Sequence, residues 1–358
     1  MTQIRIGVVG CGAIAQVHHL PNLLALGDLF RLGAVCDLSP SLAGQMADRV
    51  GLDTFYTDID TMLARSSIDA VLLCQTDPKT AAARSVLGAG KHLFIEKPVG
   101  FVPQDVDDLA DLAQTAGLVA QAGYMKLFDP AFEAMALEVA RLQDTIRFVQ
   151  INHLHTNNAH HLAAYDLIRA DDLPAAAPGA LEAARQADLQ RALGSAATAG
   201  RRAFFHLAGS MIHDLYGLRA LFGPVRRVVS AEIWNDGDGI STVLDCGDGI
   251  RCAATWVELM DIRYFHETLE VYADDRGLIL THPTGFARDL ATLTLRGPDA
   301  SGAAAQWQAS IEGEIAFVRE LRHFHACIAQ GETCRASLAA ARHDVQLVID
   351  ITRVALQT

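Results

Sequence analysis

The chain has 358 residues and a formal net charge of −13, with 51% hydrophobic and 20% charged residues. That length exceeds what one hydrophobic core organises, so two domains are expected. So acidic a surface repels phosphodiester backbones, which excludes nucleic acid as an expected partner, and no apolar run approaches the ~20 residues of a membrane span. The N-terminus shows no signal-peptide cleavage pattern, so the expected location is the cytoplasm. The seven cysteines (Cys11, Cys36, Cys74, Cys246, Cys252, Cys327 and Cys334) are scattered and form no C-x-x-C pair. Neither a disulfide framework nor a zinc knuckle is expected of them, and buried apolar filler is the plain expectation.

The first third alternates strand and helix patterns. Ile4 to Val9 is a short apolar strand, followed by a helix over Ala13 to Leu26. Leu32 to Cys36 is a second strand, and Ser41 to Val50 a second helix. Asp69 to Cys74 is a continuous apolar run of the kind buried on both faces. Then come a helix over Pro78 to Ala89, a strand over His92 to Ile95, a helix over Gln104 to Ala116 and a strand over Val119 to Ala122. Such alternation predicts right-handed crossovers and a parallel sheet.

The texture changes near Gly123. Strand patterns at Arg147 to His155, Val225 to Trp234, Ser241 to Cys246, Arg251 to Glu258, Glu267 to Ala273, Leu278 to Thr281 and Ala291 to Leu295 are joined in part by tight Gly and Asp turns. Helices at Ile311 to Gln330 and Ser337 to Leu356 close the chain. The expected architecture is α/β. A dinucleotide-binding domain of the Rossmann type spans 1–123, and a second α/β domain with an open, mostly antiparallel sheet spans 124–358. An Ala-rich stretch at about 171–200 offers few large apolar anchors and reads as an inserted flap, an oligomer contact or surface padding.

Directly after the first strand stands Gly10-Cys11-Gly12-Ala13-Ile14-Ala15, a G-x-G-x-x-A turn. Gly10 allows the tight turn, Gly12 lets the backbone approach a pyrophosphate, and Ala15 lets the helix pack close to the sheet. The helix N-terminus then offers N–H groups and a positive dipole end to the phosphates, with Ala13 and Ile14 in its first turn. Asp37 ends the second strand, where an acidic residue reads ribose hydroxyls. Its carboxylate repels a 2′-phosphate, and no arginine follows it, so NAD is expected rather than NADP. Thr76, two residues past the third strand, is assigned to the same cofactor site. The fourth strand ends in Glu96-Lys97-Pro98, at the C-terminal edge where open α/β sheets bind ligands.

The stretch Ala89-Gly90-Lys91-His92-Leu93-Phe94-Ile95-Glu96-Lys97-Pro98 resembles the signature of the glucose–fructose oxidoreductase/inositol dehydrogenase (Gfo/Idh/MocA) family. So does the opening Gly7 to Ala15 with His18 and His19 after it. Gly123-Tyr124-Met125-Lys126-Leu127-Phe128-Asp129-Pro130 resembles the family's domain-crossing segment, and His213-Asp214 with Leu218 to Gly223 its second-domain helix. The resemblance implies a nicotinamide cofactor and substrates that are sugars, polyols or their acids. It implies subunits associated through the open sheet, here a homodimer or homotetramer. It also implies that Glu96 and Lys97 adjoin the cofactor and that Lys97 reaches the reacting carbon, where an ammonium stabilises alkoxide character.

On a continuous helix at about 100° per residue, Leu207, Met211, Leu215, Leu218 and Phe222 form a core stripe, while His206, Ser210, His213 and Gly217 form another, roughly 130° away. His213 is the expected acid/base. The family pattern places an aspartate one turn earlier, and Gly209 stands there instead. Ser210 and Tyr216, at i−3 and i+3, are its candidate substitutes. Asp214 points about 100° away from His213 and is set aside. The cluster Asn152, His153, His155, Asn157, Asn158, His160 and His161 reads as a polyol-binding surface or a solvated loop. Two imidazoles on one face can also ligate zinc, but no carboxylate or thiolate is nearby in sequence and no metal is expected. Lys97, Tyr124, Lys126, His155, Asn157, Ser210 and His213 are the expected substrate-binding set.

The leading expectation is thus hydride transfer between NAD and a secondary hydroxyl of a sugar, polyol or sugar acid. The alternatives are redox-neutral isomerisation, epimerisation or elimination with bound NAD, and a non-catalytic ligand sensor.

Overall fold

The computed structural model describes residues 2–357. Five strands open the chain: β1 (Ile4–Val9), β2 (Phe30–Cys36), β3 (Ala70–Leu73), β4 (His92–Glu96) and β5 (Ala120–Gly123). Between them run α1 (Leu20–Ala25), α2 (Pro40–Val50), α3 (Ile59–Arg65), α4 (Thr80–Gly88) and α5 (Pro103–Thr115). The strands form one parallel sheet in the order β2-β1-β3-β4-β5. All four residues of β3 are buried, as a central strand covered on both faces requires. At the start of α2, Ser39 Oγ accepts the Leu42 N–H at 3.1 Å, and Gly51 ends the helix in a left-handed conformation.

Beyond β5 the elements are α6 (Pro130–Leu142), β6 (Ile146–Thr156), α7 (Asn158–Leu162), α8 (Ala177–Leu193), α9 (Ala197–His206) and α10 (Ile212–Phe222). Then come β7 (Arg227–Trp234), β8 (Gly239–Gly247), β9 (Ile250–Leu259), β10 (His266–Ala273), β11 (Gly277–His282), β12 (Thr292–Pro298) and β13 (Ala304–Gln308), followed by α11 (Ala316–Gln330) and α12 (Leu338–Ala355). The strands build an eight-stranded sheet in the order β13-β12-β11-β10-β6-β9-β8-β7. Its pairs are antiparallel except β6 with β9. Alternating burial along β8 and β9 marks a sheet with one face in the core.

The fold class is the expected one, a Rossmann-type parallel sheet plus a mostly antiparallel sheet. The chain divides into two compact units. One comprises residues 1–124, 162–192 and 320–345; the other comprises 125–161, 193–319 and 346–358. No described helix is long and apolar enough to cross a membrane.

Two segments differ from the α-helices that the sequence predicts. Ala15–His19 and Leu207–Met211 are π-helical turns. Such wide turns cluster at functional sites and insert one residue into the helical phase. Residues after Met211 are therefore offset by about 100° from an ideal projection that starts at His206.

Candidate active-site residues of the two units

In the first unit the glycine turn has the geometry that a dinucleotide needs. Gly10 has a φ of +86°, and a Cβ there would lie 2.4 Å from the Gln75 nitrogen, so only glycine fits. A Cβ on Gly12 would meet nothing within 4 Å, which leaves the backbone open on that side. Ala15 is fully buried where the helix meets the sheet. The Asp37 carboxylate is held by two backbone donors, Cys11 N–H at 2.8 Å and Ser39 N–H at 2.9 Å. Gly10, Gly12, Asp37 and Thr76 line one cavity of about 340 Å³. Asp58 lines it as well, and its carboxyl lies below the usual range because it accepts hydrogen bonds from Thr61. No lysine or arginine is among the lining residues.

The Ala-rich stretch closes this cavity from the other side. Ala170, Leu173 and Leu181 belong to its wall. Asp172 accepts Ser41 N–H and Ser41 Oγ–H, each at 2.8 Å, and also the Ser39 hydroxyl. The Gln16 side chain exchanges two bonds with the Ile168 backbone, each at 2.9 Å. This part of the stretch thus packs against the glycine-turn cavity. The residues fit a dinucleotide: a glycine-only turn, an open backbone approach, an anchored carboxylate and an apolar wall that suits an adenine ring.

Glu96 ends β4, Lys97 follows it, and neither is part of that cavity wall. Glu96 is buried, and its Oε1 lies 2.7 Å from His19 Nε2. Its Oε2 accepts the Lys97 N–H at 3.1 Å. Burial works against ionisation of Glu96, but the His19 bond and the charges of Lys97 and Lys79 hold its carboxyl below the usual range. Glu320, on α11, is fully buried, and neither of its carboxylate oxygens has a hydrogen-bond partner among the described residues. Burial first, and the nearby Glu96 second, push its carboxyl well above the usual range. Lys97 itself is half-buried.

In the second unit, two polar groups meet on β6 and the helix pair. His153 Nδ1 contacts Asp214 Oδ2 at 2.8 Å, and His153 Nε2 contacts His155 Nδ1 at 3.2 Å. Ser210 Oγ lies 3.3 Å from His155 Nδ1 and accepts the Trp256 indole N–H at 2.9 Å. Glu267 approaches His153 and is ion-paired with the buried ammonium of Lys126. That ammonium supplies the positive charge a metal would bring to the carboxylates. Burial pushes the Asp214 carboxyl up, but His153 and Lys126 outweigh it and hold the group below the usual range. Burial and Lys126 push the nearby His282 down to about 3, so that imidazole is neutral.

His213 is half-buried, and its Nδ1 lies 2.8 Å from the Tyr216 hydroxyl. That hydroxyl also accepts the Lys126 backbone N–H at 3.3 Å. A hydroxyl both donates and accepts, so it serves the imidazole in either protonation state. Of the two candidate substitutes for the missing aspartate, Tyr216 orients His213, whereas Ser210 turns to His155 and Trp256. At Gly209 a Cβ would meet nothing within 4 Å.

The fold thus brings Gly10, Gly12, Asp37 and Thr76 to one cavity, with Ala13, Ile14 and Ala15 following in the chain. It brings His155 and Ser210 together, and it commits Lys126 to Glu267. Tyr124 is buried just past β5. Asn157 Oδ1 accepts the Ala159 N–H at 2.9 Å and so shapes the start of α7. Sequence reasoning missed Asp214 and Glu267 as partners of His153 and found no carboxylate near it. Asp214 follows the wide turn at Leu207–Met211, and a continuous α-helical projection misassigns its face. It also missed His19 and Glu320 as the setting of Glu96; the pair His18-His19 after the glycine turn was the available signal.

Residues 4–124 match the family described as Gfo/Idh/MocA, an oxidoreductase family with an NAD-binding Rossmann fold. A myo-inositol 2-dehydrogenase from Thermotoga maritima is 29% identical over 133 residues, which is 37% of this chain and 39% of that protein. The chain therefore matches well under half of that curated relative's length. Among solved structures, a UDP-N-acetylglucosamine 3-dehydrogenase from Acidithiobacillus ferrooxidans has a TM-score of 0.73 at 19% identity, covering 99% of this chain and 98% of that one. An apo scyllo-inositol dehydrogenase from Lactobacillus casei has a TM-score of 0.71 at 16% identity, covering 99% and 97%. At these identities the likeness shows a shared fold.

Proposed function

We propose that this chain is a nicotinamide-dependent dehydrogenase that oxidises a secondary hydroxyl of a polyol or sugar-like compound and prefers NAD to NADP. The observation that carries it is the cavity in which the open Gly12 backbone faces an Asp37 carboxylate fixed by Cys11 and Ser39 N–H groups. Bound there, the dinucleotide supplies the hydride acceptor. Asp37 holds the ribose hydroxyls, and Asp58 adds a second negative charge that disfavours a 2′-phosphate. The inositol dehydrogenases among the relatives support a polyol substrate.

The chain's own residues divide the remaining work. The Lys97 ammonium, backed by Glu96, stabilises the oxygen as it gains alkoxide character. His213 accepts the hydroxyl proton on an imidazole that solvent reaches, and Tyr216 follows it through the protonation change. His153 is too enclosed for that role. Paired with Asp214, it fixes His155 and Ser210, whose donor and acceptor atoms suit the hydroxyls of a polyol. The second unit exposes Val229, Met260, Ile262, Tyr264 and Trp307, which supports association of subunits through the eight-stranded sheet.

The test is a fluorescence titration of the purified protein with NADH and with NADPH. Saturable binding of NADH at least about tenfold tighter than NADPH is expected, a difference of ~1.4 kcal/mol. Tighter NADPH binding overturns the cofactor preference, and binding of neither overturns the whole reading.

A further inference from the structure

Scatter along the sequence suggests buried filler for the cysteines, yet folding gathers two of them in the first unit. All seven are free thiols. On α11, His323 and Cys327 are four residues apart and share one face. Cys327 Sγ lies 3.3 Å from His323 Nε2. Gly331, at a φ of +72°, turns the chain back after the helix and brings Cys334 to the same point. The donor atoms of His323, Cys327 and Cys334 all lie within 4.8 Å of one another.

The returning loop is pinned rather than loose. Ala122 N–H donates to the Ala336 carbonyl at 2.8 Å, and Gln121 pairs with Ser337 at the edge of β5. The Cys334 thiol donates to Gln121 Oε1 at 3.8 Å, and the Arg335 N–H donates to His323 Nε2 at 3.0 Å. On the far side of the imidazole, Glu332 Oε2 lies 3.5 Å from His323 Nδ1.

We propose that His323, Cys327 and Cys334 form a binding site for a thiophilic divalent cation of the zinc class, with Glu332 orienting the imidazole. Two thiolates and one imidazole are a zinc donor set, with Zn–S about 2.3 Å and Zn–N about 2.0–2.1 Å. Ligand atoms at those radii around a tetrahedral centre stand roughly 3.5–3.8 Å apart, and the donor atoms of this cluster, all within 4.8 Å of one another, reach that spacing by small side-chain adjustments. A carboxylate on the second nitrogen of a ligating histidine fixes its tautomer and raises its basicity.

Both thiols give their protons to solvent when the cation arrives, so binding is linked to pH. The cation takes the Nε2 lone pair that Arg335 N–H now holds and leaves that N–H to a thiolate sulfur. A water completes the fourth position on the side where Glu332, Thr333 and Arg335 are exposed.

The experiment is a titration of the full-length, reduced protein with Co²⁺, read by the thiolate-to-cobalt charge-transfer band and the tetrahedral d–d bands, with Zn²⁺ as competitor. One equivalent binds, zinc displaces it, and the affinity rises with pH. Cys327→Ser and Cys334→Ser each weaken binding by more than roughly 100-fold, and Glu332→Gln, which leaves all three ligands in place, by about 10–100-fold. Circular dichroism of each variant establishes that it is folded. Absence of the charge-transfer band from the reduced wild type overturns the proposal. So does a band unchanged in the Cys327 and Cys334 variants, which places the metal on other thiols.

Discussion

Asp214 Oδ2 stands 2.8 Å from His153 Nδ1, and both side chains are buried. The two residues are 61 positions apart in the chain. Removing one partner leaves the other buried without compensation, which costs about 3–5 kcal/mol. Asp214→Ala is therefore expected to lose that much stability in urea unfolding, and Asp214→Asn, which keeps a hydrogen-bonding group, clearly less. The pH dependence has a definite sign. The folded state holds the Asp214 carboxyl below its usual range, so its contribution is full above the unfolded pKa and fades as pH falls through the folded one.

Glu320 carries the opposite sign. Burial and Glu96 raise its carboxyl well above the usual range, so the folded chain keeps a proton that the unfolded chain releases. Its contribution is full below the unfolded pKa and declines as pH rises, by up to about 1.4 kcal/mol per pH unit. Glu320→Gln should remove that decline. Urea midpoints of wild type and variant, compared from the ordinary glutamate pKa to neutral pH, should converge at the acid end and separate at the neutral end. Parallel curves count against the buried Glu96–Glu320 pair as described.

Asp37→Asn removes the charge and keeps an acceptor for one of the two N–H groups, since Cys11 N–H donates to Oδ2 and Ser39 N–H to Oδ1. The ratio of NADPH to NADH affinity should rise by roughly tenfold, ~1.4 kcal/mol, measured by fluorescence titration. An unchanged ratio would show that Asp37 does not set the preference.

Gly209→Ala tests the helix from the stability side. A Cβ there meets nothing within 4 Å, and alanine loses less backbone entropy on folding than glycine. The variant should gain about 0.5–1 kcal/mol in urea unfolding with NADH binding unchanged. A loss of stability would show that the wide turn at Leu207–Met211 needs its glycine.

The cofactor side of the fold was legible because its signals are local. Gly10, Gly12 and Ala15 fall within one turn, Asp37 ends the next strand, and the five strands of the first sheet were read from short apolar runs. The short helix α3 was not read, because Met62 is its one buried residue. The composition of the Ala-rich stretch was visible, but its docking rests on Asp172 reaching Ser41 across 131 positions, which no local pattern records. The His153, Asp214 and Glu267 cluster stayed hidden for the same reason, compounded by a wide helical turn that a period of 3.6 residues cannot represent. The thiol pair at Cys327 and Cys334 depended on a single left-handed glycine turning the chain back.

Lys97 and the nicotinamide dependence are tested together by following NADH absorbance over a panel of polyols, sugars and sugar acids, with wild type and Lys97→Ala side by side. NADH forms in equal amount to a ketone product with at least one compound, and Lys97→Ala lowers kcat by about 10²–10³ while NADH binding is retained. Product formed without accumulation of NADH, or a Lys97→Ala variant as active as wild type, would contradict the proposed function.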